Sequence, residues 1–356
     1  MRQVLEAPTQ SSPEYLQTSL AAAMVLGARG GRFYRDIKLH CVNLLLTYDE
    51  GCRANCAYCG LARERPGDNR ERSFIRVEWP LLSMEEILDR LARYREEVRR
   101  VCLSMVLHPR AYGDTIDVIR RLRERVDIPV SVLISPSGFD RERMEKLRES
   151  GADMVGIGLD AASPRVFERT RGKGVRSPLS WEQYWETLQM AREVFGPFRV
   201  NAHIVVGIGE TDRELVGLFH RLREIQVSAY LFSFYPEPGS AMARRRRPSL
   251  ARFRRLQLVK YLMERGEVEA ETVGFDGRGG IGRLGAEPGV VETAIASGLP
   301  FLTGGCPDGG GQSVCTRPFG SYRPGQPFRD FPFPPDEGDL AGIRKELRLG
   351  GMECAP

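Results

Sequence analysis

Six short apolar runs, each followed by a stretch of helical periodicity, organise the chain between residues 42 and 234. The runs cover 42–48, 100–106, 129–135, 153–159, 198–206 and 227–234. They are apolar at consecutive positions, not alternate ones, which is the pattern of strands buried on both faces. Between them, residues 84–99, 115–125, 141–150, 181–195 and 212–225 place apolar side chains three and four apart, as amphipathic helices do. Ser83-Met-Glu-Glu86 has the spacing of a capping box, and Gly151 stands where the third helix should end. Six such units predict an α/β fold: a parallel sheet covered by helices and curled by right-handed crossovers into a partial (β/α)6 barrel of the TIM type. A barrel short of eight units has an open side, which suits a large substrate. Its chemistry is expected on loops at the carboxyl ends of the strands.

The flanks read differently. Ser12-Pro13-Glu14 predicts an N-terminal helix with Ser12 as its cap and Pro13 at its first position. After about residue 270, glycine and proline dominate 274–289, 304–311 and 317–335, so an irregular tail is expected, closed by a charged surface helix over 336–350. The organisation expected is a helical segment over 1–36, a barrel over 37–270 and an extension over 271–356.

Composition narrows the class. With 356 residues and 42% hydrophobic content, the chain can bury a substantial core. No run reaches the roughly 18 apolar residues that span a bilayer. The run 20–28 follows Glu6 and Glu14 with no basic region in front, unlike a signal peptide. Eight cysteines in a large chain of this kind point to metal binding rather than to disulfides, and a cytoplasmic location is expected. The net charge of +5 comes almost wholly from arginine and permits an acidic protein partner without demanding nucleic acid. The basic run 244–247 reads as a solvated loop.

Against that background, Cys52-Arg-Ala-Asn-Cys56-Ala-Tyr58-Cys59-Gly60 is the most informative segment. It leaves the first apolar run directly. Three thiolates at this spacing can hold three irons of a [4Fe–4S] cluster and leave the fourth open. A structural zinc site wants four ligands and usually pairs two short spacings, whereas this trio stands alone. The segment resembles the radical S-adenosylmethionine (SAM) enzymes, and the resemblance implies that SAM binds the open iron through its amino acid end. It further implies that Tyr58 lies against the adenine. His203-Ile-Val-Val-Gly207-Ile-Gly209-Glu210-Thr211 is similar to the glycine-containing segment that packs beside that ring. Asp160, ending the fourth strand, either accepts hydrogen bonds from the ribose hydroxyls or caps a helix beginning near Ser163. Arg169 and Arg171 either clamp a carboxylate or face solvent.

A second metal centre is expected in the tail. Cys306-Pro-Asp-Gly-Gly-Gly-Gln-Ser-Val-Cys315 brings two thiols together on a loop whose glycines let the backbone wrap a metal closely, and Cys41 lies just before the first strand. A tail this poor in apolar residues needs something to order it. An auxiliary iron–sulfur cluster on Cys41, Cys306 and Cys315 is the reading. Cys306-Pro together with Cys315-Thr-Arg-Pro-Phe-Gly-Ser-Tyr-Arg-Pro-Gly325 resembles the C-terminal signature of the two-component lipoyl synthases, and similar stretches extend the resemblance over most of 33–347. It implies sulfur insertion into an octanoyl chain carried on a lipoyl-carrier domain or H-protein. A companion synthase component and an electron donor such as ferredoxin or flavodoxin are implied too. The sequence leaves the fourth ligand of the auxiliary cluster open, with Ser321 and Arg317 as the candidates. Arg100-Val-Cys102-Leu-Ser-Met resembles the second strand of biotin synthase, where a cysteine binds the sulfur-donating [2Fe–2S] cluster. Its other cluster positions correspond to Leu133, Ile134 and Asn201, so Cys102 is read as a buried thiol packing as a small hydrophobe. Another radical SAM reaction on a small molecule stays open. A non-enzymatic metal-binding module does not need a six-unit barrel.

Overall fold

The computed structural model describes residues 10–68, 77–315 and 328–349. The candidate ligands Ser321 and Arg317 lie outside them. All six expected strands form: β2 (Cys41–Leu46), β4 (Arg100–Ser104), β5 (Val130–Ile134), β6 (Ala152–Asp160), β7 (Val200–Val206) and β8 (Ser228–Ser233), each pairing in parallel with the next. Two short strands, β1 (Tyr15–Thr18) and β3 (Leu81–Ser83), add an antiparallel edge, so the sheet runs β3-β1-β2-β4-β5-β6-β7-β8. The partial barrel is as expected, with one sequential run of parallel strands and an edge at each end.

The crossover helices also follow the pattern: α2 (Met84–Arg93), α3 (Ala111–Arg125), α4 (Arg141–Glu149), α6 (Trp181–Phe195) and α7 (Asp212–Glu224), with α5 (Pro164–Thr170) between β6 and α6. Ser83 accepts from the Glu86 amide at 3.1 Å, and Gly151 follows α4 with φ +116°, an open conformation for glycine alone. Apolar faces of these helices cover a core of Val, Leu and Ile from β2 to β8.

The N-terminal expectation fails in detail. No helix starts at Pro13. The Ser12 hydroxyl donates to the Tyr15 carbonyl and accepts from the Thr47 amide, fixing the chain alongside β2, and the residues that follow extend as β1. The helix α1 (Leu20–Val25) begins later, capped by Ser19. The tail is also more ordered than its composition suggests. Beyond α8 (Leu250–Glu264), which belongs to the barrel segment, it contains the hairpin β9 (Gly274–Phe275) and β10 (Ile281–Arg283), α9 (Pro288–Ser297) and the expected last helix, α10 (Glu337–Leu347). Among the described residues no helix is long and apolar enough to cross a membrane.

One arginine ties this tail to the barrel. Arg254 on α8 is 1% exposed, bonding Glu346 at 2.8 Å, the Arg329 carbonyl at 2.7 Å and the Phe328 carbonyl at 2.5 Å. Burial pulls its pKa down, and Glu346 opposes that shift. Truncating it leaves buried acceptors unmatched. Arg254→Ala is expected to cost about 3 kcal/mol of unfolding free energy, against under about 1 kcal/mol for Arg344→Ala, whose pair with Glu292 is exposed. Denaturant titration of the two variants checks the contrast.

Candidate functional site

A cavity of about 310 Å³ runs through the barrel, and all seven described cysteines line it. That volume is at the lower end of small-molecule sites. The cysteines fall at its two ends. Cys52, Cys56 and Cys59 lie in the loop after β2, at the carboxyl ends of the strands. Cys41 opens β2 at the amino end, and Cys102 sits on the neighbouring β4, facing the same interior. Cys306 and Cys315 reach that end from the tail. Cys41 and the end of β2 are roughly 17 Å apart at the usual strand rise.

The upper loop is fixed from three sides. Arg53 donates its amide to the Leu107 carbonyl at 2.8 Å, and Ala57 to that of Thr170 at 2.8 Å; the Met242 amide donates to the Ala57 carbonyl at 3.0 Å. Two backbone amides point at sulfur: Leu107 toward Cys52 at 3.4 Å and Leu61 toward Cys59 at 3.3 Å. Burial pushes all three thiols up, Cys56 to about 11, while Arg171 opposes the shift in each. Such thiols ionise when a cation takes the proton's place. Three sulfurs, two of them facing amide donors, on one cavity wall with an arginine beside them fit a cluster bound by three cysteines.

Arg171 is the centre of a buried network. It contacts the Asp160 carboxylate and donates to the Tyr58 hydroxyl at 2.9 Å and the Tyr184 hydroxyl at 2.7 Å; Tyr58 donates to Asp160 at 2.5 Å. Asp160 holds φ +60° at a register break between β6 and β7, so its side chain turns into the cavity. It does not cap α5. Ser163 occupies the capping position, and its hydroxyl donates to Glu214. Arg171 is therefore a buried partner of Asp160, while Arg169 lies behind the loop near the Ile208 carbonyl.

Gly207 and Gly209 are not part of the cavity wall. Their role here is backbone geometry. At φ +111° and +128° they let residues 207–209 curl around Glu210, whose carboxylate accepts their three amides at 2.7–2.9 Å and pairs with Arg252. A Cβ at Gly209 would meet Arg169.

At the lower end the tail loop closes on itself. Val314 donates to the Cys306 carbonyl at 3.2 Å, Asp308 accepts the amides of Gly310 and Gln312, and Arg100 donates to the Pro307 carbonyl at 2.5 Å. Arg100, 1% exposed, forms a two-pronged pair with Asp153 at 2.6 and 2.7 Å. Burial raises Cys102 to about 11 and Cys306 to about 12. Each of Cys41, Cys102 and Cys306 also feels the charge of neighbouring thiols, and Arg100 opposes the shift. Cys102 is thus not a packed core thiol; it is half-buried and open to the cavity. Local sequence gave no sign of this, since its neighbours arrive from the far end of the chain. Among the described residues no three His, Cys, Asp or Glu side chains stand close enough to share one ion. In an iron–sulfur cluster each thiolate can take its own iron, so a wider spread of sulfurs is in keeping with cluster binding.

Residues 48–222 match the family model of the radical SAM superfamily. Over these residues the chain carries a radical SAM domain, the domain of a family that takes a [4Fe–4S] cluster and SAM. A biotin synthase from Thermus thermophilus is 28% identical over 246 residues, 67% of this chain and 67% of its own. A lipoyl synthase from Roseiflexus sp. is 26% identical over 274 residues, covering 69% and 85%. The crystal structure of methylornithine synthase (PylB) superposes with a TM-score of 0.49 at 14% identity, over 94% of this chain and 88% of that one.

The network around Arg171 yields a stability test. Asp160→Asn keeps the shape but leaves a buried guanidinium without its counter-charge, for an expected loss of about 3 kcal/mol. Tyr58→Phe removes one hydroxyl and is expected to cost about 1 kcal/mol. Equilibrium unfolding of both variants distinguishes a charge-held network from a merely hydrogen-bonded one.

Proposed function

We propose that this chain is one component of a paired lipoyl synthase, inserting sulfur into an octanoyl chain carried on a lipoyl-carrier domain or H-protein. The observation that carries the reading is the single cavity lined by sulfur at both ends and by apolar side chains between them. Leu45, Leu133, Val205 and Phe232 supply that middle section, which suits an acyl chain and repels a charged reactant. When bound, a cluster on Cys52, Cys56 and Cys59 supplies the electron that breaks SAM into methionine and a hydrogen-abstracting deoxyadenosyl radical, and an auxiliary cluster on Cys41, Cys306 and Cys315 supplies sulfide.

The protein's own part is to hold and to exclude. Tyr58 flanks the adenine. Asp160, whose carboxylate has acceptor capacity beyond its bonds to Tyr58 and Arg171, takes the ribose hydroxyls. Arg171 holds that carboxylate in place. The apolar middle keeps water from the reacting carbon. A companion component attending to the other carbon, and ferredoxin or flavodoxin as electron donor, complete the system. A location in the cytoplasm accords with such partners.

Anaerobically reconstituted protein is expected to release deoxyadenosine from SAM with reductant, and to thiolate an octanoylated carrier peptide when its companion is present, both read by mass spectrometry. Cys56→Ala should reduce both products to background. Turnover of a free small molecule, with the carrier peptide untouched, would favour a biotin-synthase-like reaction instead.

A further inference from the structure

We propose that Cys102 is the fourth thiolate ligand of an iron–sulfur cluster held at the lower end of the cavity, beside Cys41, Cys306 and Cys315. This rests on the reading above that the tail thiols hold a second cluster, and replaces a tail residue with a strand residue as the missing ligand.

Cys102 is where the lower-end contacts meet. Asn43 and Cys102 are opposite one another across β2 and β4, and Cys41 lies opposite Arg100 on the same face. The two strand thiols are therefore diagonal neighbours, roughly 8 Å apart at Cα from strand spacing and rise. The Asn43 amide reaches both, standing 3.9 Å from the Cys41 sulfur and within bonding reach of Cys102. On the next strand, the Ser131 hydroxyl reaches both Cys102 and Cys306. The loop thiols are brought together by the Pro307–Ser313 bridge and by Gly305, where a Cβ would lie 2.1 Å from that of Cys315. Two strand thiols and two loop thiols thus face one space, with Asn43 and Ser131 bridging them through Cys102. Iron–sulfur clusters take four thiolates of this kind.

Asn201, on β7, adds a buried donor aimed at one of the loop thiols. It is 0% exposed, and its Nδ2 donates to the Cys306 sulfur at 3.6 Å and the Val155 carbonyl at 3.3 Å. Its Oδ1 has no hydrogen-bond partner among the described residues. That oxygen lies above Gly156, 2.8 Å from where a Cβ would be. A buried amide left half-satisfied costs about 1–3 kcal/mol. The donor end of the same amide already points at the Cys306 sulfur, a contact that strengthens when that sulfur is a metal-bound thiolate.

The test uses the full chain with Cys52, Cys56 and Cys59 all replaced by Ala, reconstituted anaerobically with iron and sulfide, so that only the lower site can load. About four irons per chain are expected, with an EPR signal on reduction. Adding Cys102→Ala should remove most of that iron. Cys102→Ser, which keeps an oxygen ligand, should retain iron but shift the signal, and it decides the matter if the Ala variant does not fold by circular dichroism. Ser321→Ala and Cys354→Ala should leave count and signal unchanged. Wild-type iron and an unshifted signal in both Cys102 variants would overturn the assignment, as would loss of the cluster in Ser321→Ala or Cys354→Ala. An iron-free triple variant, beside wild type holding about four irons, would overturn the second cluster itself.

Discussion

Negative sulfur in a dry interior is the constraint on which this molecule depends, and one strand answers it twice. β6 carries Asp153 near its start and Asp160 at its end, and each carboxylate holds an arginine against one group of thiols. Asp153 pairs with Arg100, facing Cys41, Cys102 and Cys306; Asp160 pairs with Arg171, facing Cys52, Cys56 and Cys59. A lone buried arginine would shed stability, and a lone buried aspartate likewise. Paired, they leave a fixed positive edge at each end of the cavity.

Neither arginine suffices by itself. Even with Arg171 nearby, burial wins at Cys56, and with Arg100 nearby it wins at Cys102 and Cys306. Burial therefore favours the neutral thiol at Cys41, Cys52, Cys56, Cys59, Cys102 and Cys306 until something more strongly cationic than a guanidinium enters. Metal ligation demands thiolate, so loading a cluster on such thiols is coupled to proton release. The arginines lessen that cost without removing it. This favours a stable thiol form of the empty protein over a repelling cluster of anions.

How much of this was legible in the sequence follows from where the information lies. The parallel strands were readable because burial on both faces writes a continuous apolar run, and Cys52, Cys56 and Cys59 because their spacing is local. The edge strands β1 and β3 are three or four residues long and carry no such run, and Ser12-Pro13 imitates a helix start while its hydroxyl serves the neighbouring strand. Helix α8 escaped because buried Arg254 and Gln257 break its apolar stripe. Cys102 was misjudged for a different reason: a lone cysteine on a strand shows nothing of thiols arriving from 200 residues downstream. Arg171 and Asp160 were visible as candidates, but their mutual pairing depends on the register break that turns Asp160 inward.

The two ends of the cavity differ in how they are held, and the difference bears on what passes between them. The upper cysteine loop is fastened by backbone bonds to the loops after β4 and β8 and to the end of α5, so its position is set by the barrel itself. The lower loop is held to the barrel by side chains: Arg100, which bonds the Pro307 carbonyl while bound to Asp153, Asn201, whose amide donates to the Cys306 sulfur, and a longer exposed contact between Arg99 and Asp308. Removing Arg100 therefore withdraws both the counter-charge and one anchor of the tail thiols, whereas the upper loop keeps its backbone ties whatever happens to Arg171. If the lower cluster is consumed as a source of sulfur and rebuilt, a loop with few anchors is the end where ligands can part and close again without disturbing the sheet.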